Sequence, residues 1–380
     1  MMSNVKGGFE YTKKVIVTGA SGQDGSYMTE YLLKNTDHYV IIVLRRTSQA
    51  ILSNLEGVLN HPRVKMADAD LTDHEAVRRL IREERPDYFI NFAAQTFVAD
   101  SWANPVAHMQ TNAVSLIHIL EAIREYVPHC HVYSAGSSEQ FGNVKYNPQD
   151  EKHPLSPRSI YGVSKCTAQL ICKVYRESYG MYIVHAILFN HESERRQSYF
   201  VSRKISLGVA RIAQAIKEGK PFEPIELGNI DAKRDWSHAE DFMDGVWRML
   251  NQKGSPQEYV LASGETHSVR EFVELAFAEA GLTLFWSTQK GTDEEAYVMD
   301  MIQLDDPETR SIYDPFPGSH HTYIPKTVLR INPKFYRPAD VELLWGDSTK
   351  ARQELGWAPK VTFPDLVHRM VQHDLATYKL

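Results

Sequence analysis

Cysteine is scarce in this chain: Cys130, Cys166 and Cys172 are the only three in 380 residues. No two have zinc-type spacing, and three cannot all be bridged within one chain, so reduced core thiols are expected. A basic excess is missing too. The formal net charge is -6, which gives no electrostatic reason to expect a nucleic-acid partner, although local Lys/Arg clusters can still meet a small anion. No apolar run approaches the ~20 residues needed to span a bilayer. The opening MMSNVKGGFEYTKK lacks the apolar core and small-residue cleavage site of a signal peptide. Internal repeats and low-complexity tracts are absent as well. These absences leave a soluble, cytoplasmic protein with no metal site as the expectation.

What is present is an ordinary globular balance, with 24% charged and 43% hydrophobic residues. A chain of this length can bury a substantial core, in one large or two unequal domains. Short β-branched runs recur at Val15 to Val17, Val40 to Leu44, Val64 to Ala67, Tyr88 to Phe92 and His131 to Ser134. Amphipathic stretches lie between them, and a long helical pattern from Tyr161 to Tyr179 precedes a strand at Ile183–Phe189. Strands alternating with helices predict a parallel sheet covered on both faces. After about Asn190 the alternation loosens, with helical patterns at Val201–Lys217, Glu240–Leu250 and Val269–Glu279. The stretch 287–325 has no periodic apolar face and reads as a loop-rich insertion. The expected fold is α/β: a Rossmann-type doubly wound parallel sheet over 12–190, to which later segments can return. A smaller C-terminal α/β substrate-binding region would span 191–380.

Three glycines, Gly19, Gly22 and Gly25 in TGASGQDG, follow the first strand and open a helix. Glycines there allow a tight turn and let backbone amides approach a pyrophosphate at the helix N-terminus. The alternative is an ordinary βα turn, and the strand–turn–helix context favours the phosphate loop. The second strand ends LRRTS, with no carboxylate to hold a ribose 2′-hydroxyl. Arg45 and Arg46 suit a 2′-phosphate instead, since guanidinium forms bidentate bonds to phosphate oxygens, so NADP is expected over NAD. Asp70 and Leu71, ending the third strand, are read as second-tier adenine contacts.

Residues 134 to 142, SAGSSEQFG, set small residues at a strand end and then a carboxylate, Glu139. A partly buried acid there is costly unless paired or used for proton chemistry, so Glu139 is either a helix-capping acid or a base. Tyr161 and Lys165 in SIYGVSK stand four apart, on one helix face. An ammonium beside a phenol is expected to lower the phenol's pKa and fit it to deprotonate a sugar hydroxyl.

With these segments in place the chain resembles the extended short-chain dehydrogenase/reductase family, and more narrowly the GDP-mannose 4,6-dehydratases. The resemblance spans nearly the whole chain. It runs through TGASGQDGSY, RRTS, DADLTD, AAQTFV, GSSEQFG, PRSIYGVSK, FNHESERR, FVSRKI, LGNIDAKRDWSHAEDF and YRPADVELLWGDSTKARQELGW. It implies that Gln23, Asp24, Ala94, His191 and Arg196 join the glycine loop around NADP, and that Lys165 bonds the nicotinamide ribose. It implies that Tyr161 deprotonates the C4 hydroxyl while hydride leaves C4, and that Glu139 removes the C5 proton. Water is then lost from C6 and the hydride returns there. Ser137 would hydrogen-bond the C4 oxygen. Thr96, Asn190, Lys204, Arg234, Arg337 and Asp340 would hold the GDP-sugar together with Ser137, Glu139 and Tyr161.

The chain departs from the family pattern in places. Ser137 stands for threonine and Phe141 for tyrosine; Glu194 and Gln197 replace Pro and Gly; Thr96 and Phe97 replace Ser and His. The arginine loop is shorter, which favours a homodimer over a homotetramer. The altered pocket leaves room for a related substrate such as a GDP-heptose. An NADP-dependent reductase or epimerase of nucleotide sugars is the alternative within enzymes, and it has no need of Glu139. A non-catalytic NADP-binding scaffold has no need of Tyr161, Lys165 or Glu139.

Overall fold

A computed structural model describes residues 4–6, 9–45, 52–287, 294–302, 322–336 and 341–378. Seven parallel strands form the central sheet: β1 (Lys14–Thr18), β2 (Tyr39–Leu44), β3 (Val64–Asp68), β4 (Tyr88–Asn91), β5 (His131–Ala135), β6 (Ile183–Leu188) and β7 (Glu258–Leu261). Their order across the sheet is β3-β2-β1-β4-β5-β6-β7, the doubly wound pattern with its switch point between β1 and β4. The helices that bear on the site are α1 (Gln23–Asn35), α2 (His74–Glu84), α3 (Ser115–Tyr126), α4 (Ile160–Tyr179) and α5 (Ala239–Leu250).

Strand residues are apolar at successive positions because both faces of the sheet are covered. Val15, Val17, Val40, Ile42, Ile90 and Tyr133 point into one core with Met28 of α1 and Phe242 and Met243 of α5. Their neighbours Ile16, Ile41, Val43, Phe89 and Val132 point into the other, with Leu116, Ile119 and Leu120 of α3 and Ala168 and Cys172 of α4. Period-two alternation therefore sorts the side chains between two hydrophobic layers, not between core and water. The helix ends are specified locally. Asp73 caps α2 through the amides of Glu75 and Ala76, and Ser159 caps α4 through that of Gly162. Gly180, at φ +64°, ends α4 in the left-handed conformation that glycine adopts without a Cβ clash.

The chain divides into two compact units. The first holds residues 1–196 and is rejoined by 234–266 and 341–362. The last of these brings Trp357, 1% exposed, against Phe242, and its indole donates to the Asp241 carbonyl at 2.8 Å. The second unit comprises 197–233, 267–340 and 363–380. Its helices Val201–Lys217, Val269–Glu279 and Phe363–Thr377 pack on one another. Its four-stranded sheet runs in the order 225–227, 322–331, 295–302, 285–286.

That sheet corrects part of the sequence reading. Within 287–325, read as a loop-rich insertion, Glu295–Ile302 and Thr322–Ile331 pair as antiparallel strands. Ala296 and Val298 are buried on alternate positions, but apolar residues between them blur the alternation that would have marked a strand. Arg46, Arg337 and Asp340 lie outside the described residues. Among the described residues no helix is long and apolar enough to cross a membrane.

Trp357 fastens a returning segment to the first unit. Trp357→Ala is expected to cost about 3–5 kcal/mol, read as a lowered urea midpoint; an unchanged midpoint would show that this indole is dispensable.

Candidate active site

The phosphate loop is shaped by close backbone approach. A Cβ on Gly19, which sits at φ +64°, would lie 2.8 Å from the Ala93 nitrogen, and one on Gly25 would lie 2.4 Å from the Gly19 carbonyl oxygen. The Gly22 amide donates to the Gly19 carbonyl at 3.0 Å, closing the turn, and Gly22 caps α1 with no side chain over its first N–H groups. Those amides and the helix dipole make this end of α1 suited to an anion. Asn54 ties the loop from outside, donating to the Ser21 carbonyl at 3.0 Å. Across the switch point Thr18 donates to Asn91 at 2.6 Å.

Gln23 and Asp24 reach from α1 to the segment after β6. The Gln23 amide donates to Asp24 and to the His191 carbonyl, and accepts from the Ser193 hydroxyl. His191 places Nδ1 2.8 Å from the Phe189 carbonyl and Nε2 2.9 Å from the Asp24 carboxylate. Both ring nitrogens thus face acceptors, which requires an imidazolium. Burial would lower the His191 pKa, but the charge of Asp24 and its hydrogen bond raise it above the ordinary value. Burial would likewise raise Asp24, yet His191 brings it down to about 2. The two form a buried ion pair. At the far edge of the sheet Arg45 follows β2, and Asp70 follows β3 where the Ala69 amide bonds the Leu44 carbonyl at 3.1 Å. Burial opposes ionisation of Asp70, but Thr72 and the charge of Arg45 hold its pKa below the usual range. Leu71 is buried beside it.

The turn that carries Glu139 is a short 3-10 helix, Ser138–Gln140, leaving the end of β5. Ser137 caps it, accepting from the Glu139 amide at 3.3 Å, while the side chain of Gln140 accepts from the Ser137 amide at 2.8 Å. The capping box is therefore completed by Gln140, and the half-buried Glu139 carboxylate is not its reciprocal partner. Tyr161 and Lys165 project from the first turns of α4, both buried. Burial pushes the Tyr161 phenol up to about 12; its hydrogen bond with Ser137 and the charge of Arg196 lower it, while the nearby Glu139 charge raises it. Tyr161, Ser137 and Glu139 thus share one electrostatic environment. Lys165 behaves differently from the sequence expectation. Its ammonium donates to the Ala135 carbonyl at 2.7 Å and lies 5.8 Å from the Tyr161 ring centroid, so the relief of the phenol comes from Ser137 and Arg196. Burial lowers Lys165 itself to about 8.

The remaining residues expected at the site lie on other segments of the two units. Ala94 and Thr96 are half-buried on the segment after β4. Asn112, in a π-helical turn Gln110–Val114, holds that segment by bonding both the amide (2.8 Å) and the carbonyl (3.0 Å) of Gln95, and it also reaches Ser164 of α4. The Asn190 side-chain oxygen is buried with no partner among the described residues, a cost that a bound ligand donor would relieve. Arg196 pairs with Glu192 at 3.1 Å. Glu194, which departs from the family pattern, accepts from the Tyr27 hydroxyl at 2.7 Å and faces His238 at 3.4 Å. Burial would raise it, but those bonds bring its pKa down to about 2. The 192–196 loop is thereby pinned to α1 by a carboxylate. Arg234 is 9% exposed and donates to the Glu342 carbonyl. Next to it the buried Asp235 accepts from the amides of Ser263, Gly264 and Gly346 and from the Ser263 hydroxyl. Lys204 belongs to the second unit, its ammonium 3.6 Å from the Phe335 ring centroid. Asn112, Gln140 and Asp235 have no sequence signature, because each acts on segments remote in the chain.

The Asp24–His191 pair gives a pH window. Asp24 contributes stability present above its ordinary 3.8 and lost as pH falls toward about 2. His191 contributes stability present below its ordinary 6.5 and lost as pH rises through its higher folded value. His191→Gln is expected to lower the melting temperature most between about pH 4 and 6.5 and least at high pH; a deficit independent of pH would disprove the ion pair.

Comparison with known proteins agrees with this geometry. A family model described as GDP-mannose 4,6 dehydratase matches residues 16–370. A GDP-mannose 4,6 dehydratase of Drosophila melanogaster is 40% identical over 371 residues, covering 96% of this chain and 86% of that protein. One from Vibrio cholerae is 39% identical over 370 residues, covering 96% and 94%. Among solved structures, a dTDP-glucose 4,6-dehydratase from Streptomyces venezuelae with NAD bound superposes with a TM-score of 0.74 at 20% identity, covering 94% of this chain and 96% of that one. RMD from Pseudomonas aeruginosa complexed with NADPH gives 0.70 at 20%, covering 97% and 100%. At that identity the structures speak for the fold, and the sequence relatives speak for the family. The chain belongs to the GDP-mannose 4,6-dehydratase family of hydro-lyases.

Proposed function

We propose that this enzyme converts GDP-mannose to GDP-4-keto-6-deoxymannose, with Ser137, Glu139, Tyr161 and Lys165 as its catalytic residues. The observation that carries the reading is the meeting of Glu139, Ser137 and the Tyr161 phenol at one strand end, with the capping position already filled by Gln140. Abstraction of a proton alpha to a ketone needs a positioned carboxylate, and a reductase or epimerase has no use for one there.

The glycine turn suits a dinucleotide: backbone packs too closely on Gly19 and Gly25 to admit a Cβ, and the first amides of α1 have no side-chain cap. Gly19, Gly22, Gly25 and the flanking Gln23 and Asp24 would hold the pyrophosphate end, with Ala94, His191 and Arg196 along its course. Asp70 and Leu71 would meet the adenine. Arg45 and Arg46 would hold a 2′-phosphate, which makes NADP the expected cofactor. When bound, it would supply a reversible hydride acceptor, taking up hydride at C4 and giving it back at C6, so no net oxidant or reductant would be consumed. Tyr161 takes the proton of the C4 hydroxyl, with Ser137 bonded to the same oxygen. Glu139 removes the proton at C5, which the C4 ketone has acidified. The same carboxylic acid then protonates the departing C6 hydroxyl, and water is lost. When hydride adds at C6 the resulting enolate is protonated at C5, and the proton that Tyr161 took from the C4 hydroxyl is the one returned, which restores the enzyme. Lys165 would hold the ribose of the cofactor, while Ser137 and Arg196 favour the phenolate. By the family resemblance Asn190, Lys204, Arg234, Arg337 and Asp340 would hold the GDP moiety, and Thr96 would line the sugar. A GDP-heptose is the second candidate substrate, since Thr96 and Phe97 alter the wall beside the hexose. A cytoplasmic location accords with the three free, buried thiols.

A homodimer forms part of the proposal. Val163, Leu170 and Val174 of α4 are 38%, 55% and 54% exposed, and Val114 and Ile117 near α3 are 40% and 37% exposed. An apolar stripe on two neighbouring helices is what a second copy would bury. Leu170→Glu combined with Val174→Glu is expected to yield a monomer by light scattering; an unchanged mass would move the interface elsewhere.

The central experiment incubates purified protein with GDP-mannose and no added reductant. Product lighter by one water is expected, and NADP should be recovered from the denatured enzyme. Turnover only with stoichiometric NADPH would mean a reductase. Glu139→Gln should lower kcat by about 10²–10⁴-fold; undiminished water loss would remove Glu139 from its role.

A further inference from the structure

Behind the catalytic turn lies a fully buried polar group that the reaction itself does not use. Gln140 and His185 are both 0% exposed. The Gln140 carbonyl accepts from the Ser137 amide at 2.8 Å and faces Nε2 of His185 at 3.4 Å, while its NH₂ donates to Gln169. Because the Gln140 oxygen is the acceptor, Nε2 of His185 must carry the proton. Nδ1 is then a lone pair, and it faces the Ser134 hydroxyl at 3.3 Å. All four groups are satisfied in one tautomer only. Burial keeps the imidazole neutral by lowering its pKa to about 3. Gly136 completes the arrangement. A Cβ there would come within 2.4 Å of His185 Nε2 and 2.5 Å of the Gln140 oxygen, so this strand end admits the pair only because it has no side chain.

Gln169 continues the face of α4 that carries Tyr161 and Lys165, at i, i+4 and i+8. All three engage the strand end and its turn: Tyr161 with Ser137, Lys165 with the Ala135 carbonyl, and Gln169 with the Gln140 side chain. We propose that Gln140 and His185 are positioning residues that fix the catalytic turn against α4, so that Ser137 and Glu139 keep their places relative to Tyr161. The inference rests on the reading that these three residues carry the chemistry. Without His185 the Gln140 amide loses one of the three partners that set its orientation, and a shifted amide would weaken the acceptor offered to the Ser137 N–H. A displacement of well under 1 Å at Glu139 would slow proton abstraction, while the groups read as gripping GDP stand on other elements.

The test compares His185→Leu, His185→Gln, Gln140→Leu and the double Leu variant, each assayed below its own melting temperature. His185→Leu should lower kcat by about 10- to 100-fold with the KM for GDP-mannose within about twofold. The isotope effect on C5-deuterated substrate should rise, because the step at Glu139 is the one disturbed. His185→Gln, whose amide reaches the same point, should recover most of the rate. The double variant should be no slower than Gln140→Leu alone, since both act through one bond. If His185→Leu does not fold, His185→Asn, too short to reach Gln140, should show the same fall. An unchanged kcat in a folded variant, a KM that rises in step with the loss, or additive effects would overturn the inference. Glu139→Gln separates the two layers. Dehydration surviving in that variant would overturn the site reading, whereas its loss beside an unimpaired His185→Leu would overturn only the positioning role.

Discussion

The seating of α4 against the end of β5 is the contact on which the rest of the site depends. The helix begins at Ser159, which caps it, and the first two turns present Tyr161 and then Lys165 to the strand end. Neither residue could be useful if the helix were rotated by one position, because the phenol would leave Ser137 and the ammonium would lose the Ala135 carbonyl. Asn112 adds a lateral constraint, bonding Ser164 of the same helix and both backbone groups of Gln95. The segment bearing Ala94 and Thr96, the turn bearing Ser137 and Glu139, and the helix are thus set by a few directional bonds. Hydrogen bonds of this kind contribute modestly to stability, but they fix geometry that apolar packing alone would leave loose.

Several buried carboxylates of the first unit are satisfied by groups brought from other segments. Asp24 meets His191, Glu194 meets Tyr27 and His238, and Asp235 accepts four hydrogen bonds from two other segments. Breaking such a pair by removing one partner strands the other in low dielectric, which costs far more than the pair contributes. Two of these pairs draw the 189–196 segment onto α1, so the phosphate loop and the residues following β6 hold a common geometry. Glu194 replaces a proline of the family pattern, and the structure shows what does the fixing in its stead: a carboxylate bonded to α1. The buried Asn190 oxygen has no such partner among the described residues.

The sequence by itself determined the alternation of strands and helices, the glycine turn, the paired arginines and the order of the motifs. These are local: a period of two or four, a missing Cβ, or a run of residues whose spacing carries its own geometry. It also exposed Glu139 as an anomaly, a carboxylate among small residues. Tertiary structure alone decided what Glu139 is not, by giving the capping bond to Gln140, and it decided that the Lys165 ammonium turns to a backbone carbonyl. The pairing of Glu295–Ile302 with Thr322–Ile331, and the bridges made by Asn112, His185 and Asp235, were equally invisible in the sequence. Each joins residues distant in the chain, and a hydrogen bond's partner depends on where folding brings a donor and an acceptor within about 3 Å. Spacing along a chain encodes periodicity; it does not encode which buried group will be left needing another.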